Sequence, residues 1–118
     1  MNITFGIHKD YTQNFTSLNL IKNPIAIKHI SAINNNTDPI GLVLTNVNNC
    51  YISNNEVKLS PVLWINPGYT EEYIHIVVPP NKTWNWYLID NNGNTIESKY
   101  DLVVNIMAKI IHSENNCA

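Results

Sequence analysis

Ile3, Phe5 and Ile7 alternate with Asn2, Thr4 and Gly6, and this two-residue rhythm of branched and aromatic side chains recurs along most of the chain. A period of two sorts side chains onto opposite faces of an extended strand, whereas a helix face needs a period of 3.6. Asn, Pro and Gly punctuate the rhythm at close intervals, as turns between short strands require. Strands are expected over 2–7 and 16–21. Asn23-Pro24 opens IAIKHISAI at 25–33, and after the loop 34–39 the run IGLVLTNV reads as its hairpin partner. Further strands are expected over 57–65, 73–78, 84–89 and 101–112. Pro61 confines its strand to an edge or a bulge. Asn66-Pro67-Gly68 has the placement of a type II turn, and Pro79-Pro80 ends the strand before it because neither proline donates a ladder hydrogen bond.

Two of these segments also fit a helix. Asn23 could cap one with Pro24 at its first position, leaving Ile27, Ile30 and Ile33 within a broad stripe. Leu102, Ile106 and Ile110 would share a helix face in the same way. Branched side chains favour strand in both segments. Eight to ten short strands with closely spaced turns make an all-β fold, an antiparallel β-sandwich with the jelly roll among its topologies. At 118 residues the chain is expected to form a single domain over 1–118.

Charge narrows the function. Charged residues make up 14% of the chain, against about 25% in typical soluble proteins. There are 21 Asn and 17 Ile but no Arg, so all seven basic residues are Lys, scattered at 9, 22, 28, 58, 82, 99 and 109, and the net charge is -2. Arginine is the side chain suited to bidentate phosphate and base recognition, and duplex binders carry a basic stripe. Nucleic acid is therefore not an expected partner, and the lack of a polybasic cluster argues the same for anionic membrane surfaces. The most apolar run, Leu102 to Ile111, is broken by Asn105 and Lys109 and falls short of a membrane span. With no charged and apolar leader at the start, the expectation is a soluble chain. The labile Asn92-Gly93 pair points to a mesophilic source.

Catalytic and metal-binding signatures are sparse. His8, His29, His75 and His112 each stand without a motif partner, Ser60 and Ser98 lack a nucleophile-elbow context, and Glu71 and Glu72 would point to opposite faces of a strand. The isolated glycines 6, 41, 68 and 93 cannot form a phosphate cradle. Asp90-Asn91-Asn92-Gly93-Asn94 resembles a calcium loop, but its glycine is fourth rather than sixth and no glutamate occupies the twelfth position, so it reads as a turn. Cys50 and Cys117 could close one disulfide tying the C-terminal tail to the body, but free thiols are the favoured reading, and their spacing with His112 does not suit zinc. Four Asn-x-Thr sequons, at Asn2, Asn14, Asn35 and Asn81, are about what so many Asn residues produce by chance. No cofactor, metal or catalytic residue is expected, and the protein is read as a non-enzyme.

Trp84-Asn85-Trp86-Tyr87-Leu88-Ile89 places Trp84, Trp86 and Leu88 on one strand face and Asn85, Tyr87 and Ile89 on the other. The first set suits a core. The second is also largely apolar, so a loop or another subunit must cover it. Trp84, Trp86 and Tyr87 are the expected contact residues for a partner or ligand, since Trp and Tyr dominate interface energetics.

A strand ending in Val77-Val78, then Pro79-Pro80-Asn81-Lys82-Thr83, an aromatic strand and an Asn-Gly turn together resemble small β-sandwich domains of virion proteins, including single jelly rolls at capsid vertices and decoration proteins. The resemblance covers about residues 72–97. It implies a noncatalytic building block assembled in cyclic multiples, with copies of itself and other structural proteins as partners and the virion as location. A carbohydrate-binding or adhesive sandwich is the alternative, because aromatic rings stack on sugars while Asn supplies donors and acceptors.

Overall fold

The computed structural model describes residues 1–8, 11–18, 22–47, 52, 59–96 and 100–111. Within them the strands are β1 (Asn2–His8), β2 (Tyr11–Gln13), β3 (Phe15–Leu18), β4 (Ile25–Asn34), β5 (Ile40–Thr45), β6 (Leu63–Ile65), β7 (Gly68–Val78), β8 (Trp84–Ile89) and β9 (Leu102–Ile110). They form a five-stranded sheet in the order β2-β1-β9-β4-β7 and a four-stranded sheet in the order β3-β8-β5-β6. All pairings are antiparallel.

Setting aside the three-residue β2, the remaining strands pair first with last and so on inward: β1 with β9, β3 with β8, β4 with β7 and β5 with β6. A long antiparallel ribbon rolled up this way acquires two further pairings, β9 with β4 and β8 with β5. That is the strand order of a jelly roll. The core lies between the sheets, with Phe5, Ile25, Ile27, Ile30, Leu102, Val104 and Ile106 from one layer meeting Ile40, Leu42, Ile65, Trp86 and Leu88 from the other.

Both segments that also fit a helix are strands, and β4 shows why its pattern was ambiguous. A bulge lies between Ile27 and His29, where the register slips against both β7 and β9. The extra residue inverts the alternation. Ile25 and Ile27 face the core before it, whereas Ile30 and Ala32 do so after it, leaving Ile33 exposed on the outer face. The resulting spacing imitates a helical stripe.

The hairpin expected between 25–33 and 40–47 does not form. β4 belongs to the five-stranded sheet and β5 to the other, so residues 35–39 cross between the layers. Asn34 holds that crossing in place. It is 1% exposed, its Nδ2 donates to the carbonyls of Asp38 and Ile65 (3.0 Å each), and its Oδ1 accepts from the Asn36 backbone N–H and side-chain amide (2.9 Å each). Such a fully paired buried amide fixes a path that two self-contained strands would not need.

Other expectations hold locally. Gly68 has φ +96, as the third position of a type II turn demands. β7 ends at Val78, before the two prolines. Asp90 Oδ1 accepts from the backbone N–H groups of Asn92 (2.8 Å) and Asn94 (3.0 Å), using its carboxylate on its own turn. Of the segment expected at 57–65, Leu63–Ile65 is strand, at the edge of its sheet. Cys50, Ser98, His112 and Cys117 lie outside the described residues. Among the described residues, no helix is long and apolar enough to cross a membrane.

Candidate functional site: the outer face of the five-stranded sheet

Burial decides which aromatics can meet a partner. Trp86 is 0% exposed inside the main core, and Trp84 is half-buried against it. Among the described residues their indole Nε1 groups find no acceptor. Tyr87 is 2% exposed, on the opposite face of β8, in a second apolar cluster with Val43, Ile52 and Ile89 against which Val47 and Leu59 pack. The strand is indeed covered on both sides, but its outer cover comes from the chain's own β5–β6 connection. Burial also pushes the Tyr87 phenol pKa up. The three expected contact residues are thus packing residues, and Trp86 and Tyr87 present no surface to a ligand or subunit.

The exposed apolar residues concentrate elsewhere. On the solvent side of the five-stranded sheet, Tyr73 is 80% exposed, Tyr69 64% and Met107 51%, with Ile33 and Val77 also exposed. Register places them in rows across the strands. Val103, Ile33 and Tyr69 form the first row, at the end bearing the 35–39 crossing. Thr4, Asn105, Ser31 and Glu71 form the second, and Asn2, Met107, His29 and Tyr73 the third. The bulge contributes Lys28 and His75, and Lys109, Ala26 and Val77 make the last row.

Polar members of this face are tied together along the rows. Thr4 Oγ1 donates to Asn105 Oδ1 (2.7 Å). His29 Nε2 lies 2.8 Å from Glu71 Oε2, and its ring sits 4.7 Å from that of Tyr73. Lys28 Nζ lies 3.1 Å from His75 Nδ1. Acidic charge therefore lies toward one end of the face and basic charge toward the other, with an aromatic and thioether row between. The exposure of these residues had a readable signal: in β7 Tyr69, Tyr73 and Val77 fall on the face opposite Ile74, Ile76 and Val78, so this strand is apolar on both faces, as β8 is.

A second feature lies at the end of the sandwich where the 35–39 crossing meets the start of β9. A 380 Å³ open cavity is lined by Asn35, Asn36, Thr37, Asp38 and Tyr100. Asn36 is locked in its wall, donating to the Asp101 carbonyl (2.9 Å) and accepting from the Asp101 N–H (3.0 Å). Among the described residues no three His, Cys, Asp or Glu side chains come together as metal ligands. Comparison with known protein families, curated proteins and solved structures finds no match.

Proposed function

We propose that the protein is a noncatalytic structural subunit that self-associates through the outer face of its five-stranded sheet, as a minor capsid, vertex or decoration component of a virion. One observation carries this reading: the large exposed side chains Tyr69, Tyr73, Ile33, Met107 and Val77 gather on one sheet face, in a chain whose surface is otherwise Asn-rich and sparsely charged. Exposed apolar patches of this kind mark association sites, and low charge limits the desolvation cost of burying them. The jelly roll is an architecture that viral capsid domains share with lectins, so fold alone does not choose between them. The test is sedimentation velocity over a range of concentrations. The wild-type chain is expected to exceed its 13.4 kDa monomer mass, while Tyr73→Ser stays near it. A wild-type chain that remains monomeric at the highest concentrations overturns the reading.

The cavity beside Tyr100 favours a second reading, a saccharide-binding module. Among the described residues its lining offers aromatic, hydroxyl and amide groups and one carboxylate. Titration of neutral methyl glycosides against amide NMR shifts of residues 35–38 tests it, and unmoved shifts dismiss it.

A further inference from the structure

The arrangement of charge on the outer face identifies the occupant and its orientation. We infer that the partner is a second copy of this chain, stacked face to face about a two-fold axis that lies in the contact plane, runs across the strands and follows the row of Met107, His29 and Tyr73. The inference rests on the self-association reading above and specifies its geometry.

Such an axis keeps β7 over β7 and reverses strand direction, so each row meets the row equally far on the other side of the axis. The row of Val103, Ile33 and Tyr69 then covers the row of Lys109, Ala26 and Val77 of the other copy, with Tyr69 over the exposed Val77. Glu71 lies over Lys28 and His75, and the Met107 and Tyr73 row lies over itself. Along β7 apolar meets apolar and acid meets base, as an isologous contact requires, while on β9 the stem of the exposed Lys109 lies over Val103. Turning the axis parallel to the strands instead would set Glu71 over the neutral Thr4 and Asn105 and lose the charge match.

Area is adequate. Four strands at about 4.8 Å spacing and nine residues at about 3.3 Å make a face about 19 Å by 30 Å, a footprint of about 570 Å² per copy. Two copies bury about 1,100 Å², just above the roughly 1,000 Å² that separates specific contacts from incidental ones, so a reversible dimer is expected.

The competing route, edge-to-edge pairing, is blocked by the sequence of β7. Eleven residues long, β7 is the longest edge strand of either sheet. Yet the bulge opposite Lys28 bends it, and Glu72, paired with the core residue Ile30, sets a charge on its inner side. Bends and inward charges are the devices that keep exposed edges from joining.

A charge exchange tests the geometry. Glu71 and Lys28 are exposed, so substitutions there leave the fold intact, which a thermal melt verifies. Each of Glu71→Lys and Lys28→Glu creates two like-charge contacts in the two-fold dimer and is expected to weaken dimerisation about tenfold at low salt, with the effect shrinking as salt rises. The double variant restores the pairing and recovers most of the loss. If the single variants dimerise like wild type, or the double variant stays weak, the two-fold geometry is wrong while self-association stands. If wild type itself never dimerises, the reading beneath it fails.

Discussion

Gly6→Ala probes the pairing of the first and last strands, which closes the roll. Gly6 sits inside β1 between the buried Phe5 and Ile7, opposite Val103 of β9. Its φ is +147, and a β-carbon built there would lie 2.1 Å from the Leu102 carbonyl oxygen. That oxygen belongs to the backbone and cannot rotate away, so β1 must shift from β9 and stretch their ladder. Backbone strain of about 1–3 kcal/mol adds to weakened ladder hydrogen bonds, for a total of about 3 kcal/mol or more. With an unfolding entropy of about 2.1 cal/mol/K per residue, the 118-residue chain should lose about 12 °C in Tm. Gly68→Ala is the control, since Gly68 also has positive φ (+96) but nothing within 4 Å of its added methyl. It should lose only the strain term, about 1–2 kcal/mol. Urea titration and calorimetry read both. A Gly6→Ala protein no less stable than Gly68→Ala would refute the close β1–β9 approach.

Two further outcomes follow from buried polar groups. Asn34→Ala removes two donors and one acceptor from the crossing between the sheets and should cost about 2–4 kcal/mol in urea unfolding, and Asn34→Asp should not rescue it because a carboxylate cannot donate to the Asp38 and Ile65 carbonyls. Burial raises the Tyr87 phenol pKa above its ordinary 10.0, so the folded chain holds that proton more tightly than the unfolded one. Its contribution to stability is complete below about pH 10 and is lost as pH rises through the folded-state value. Denaturation between about pH 8 and 11 should show a steeper alkaline decline for wild type than for Tyr87→Phe.

The layered β architecture was legible because β1, β8 and β9 keep strict alternation, with Leu102, Val104, Ile106 and Ala108 inward and Asn105 and Lys109 outward. β4 was less so, because one bulge residue moves the inward positions from Ile25 and Ile27 to Ile30 and Ala32. The crossing at 35–39 was hidden because Asn, Thr, Asp and Pro serve a hairpin and an inter-sheet loop equally well. What separates the two is the pairing of Asn34 with Ile65, a contact 31 residues distant. The burial of Trp86 and Tyr87 was hidden for a related reason. Sequence marked β8 as apolar on both faces but could not show that Ile52, Val47 and Leu59 cover Tyr87, whereas the equally two-faced β7 lies at a sheet edge with its outer side open.

Hydroxyl-radical footprinting at low and high protein concentration tests most directly whether that open face is where copies meet. Oxidation of Tyr69, Tyr73 and Met107 should fall together as concentration rises, while Trp64 and Phe15, exposed on strands of the other sheet, react as before. Unchanged oxidation of the first three, or protection confined to Trp64 and Phe15, would contradict the account.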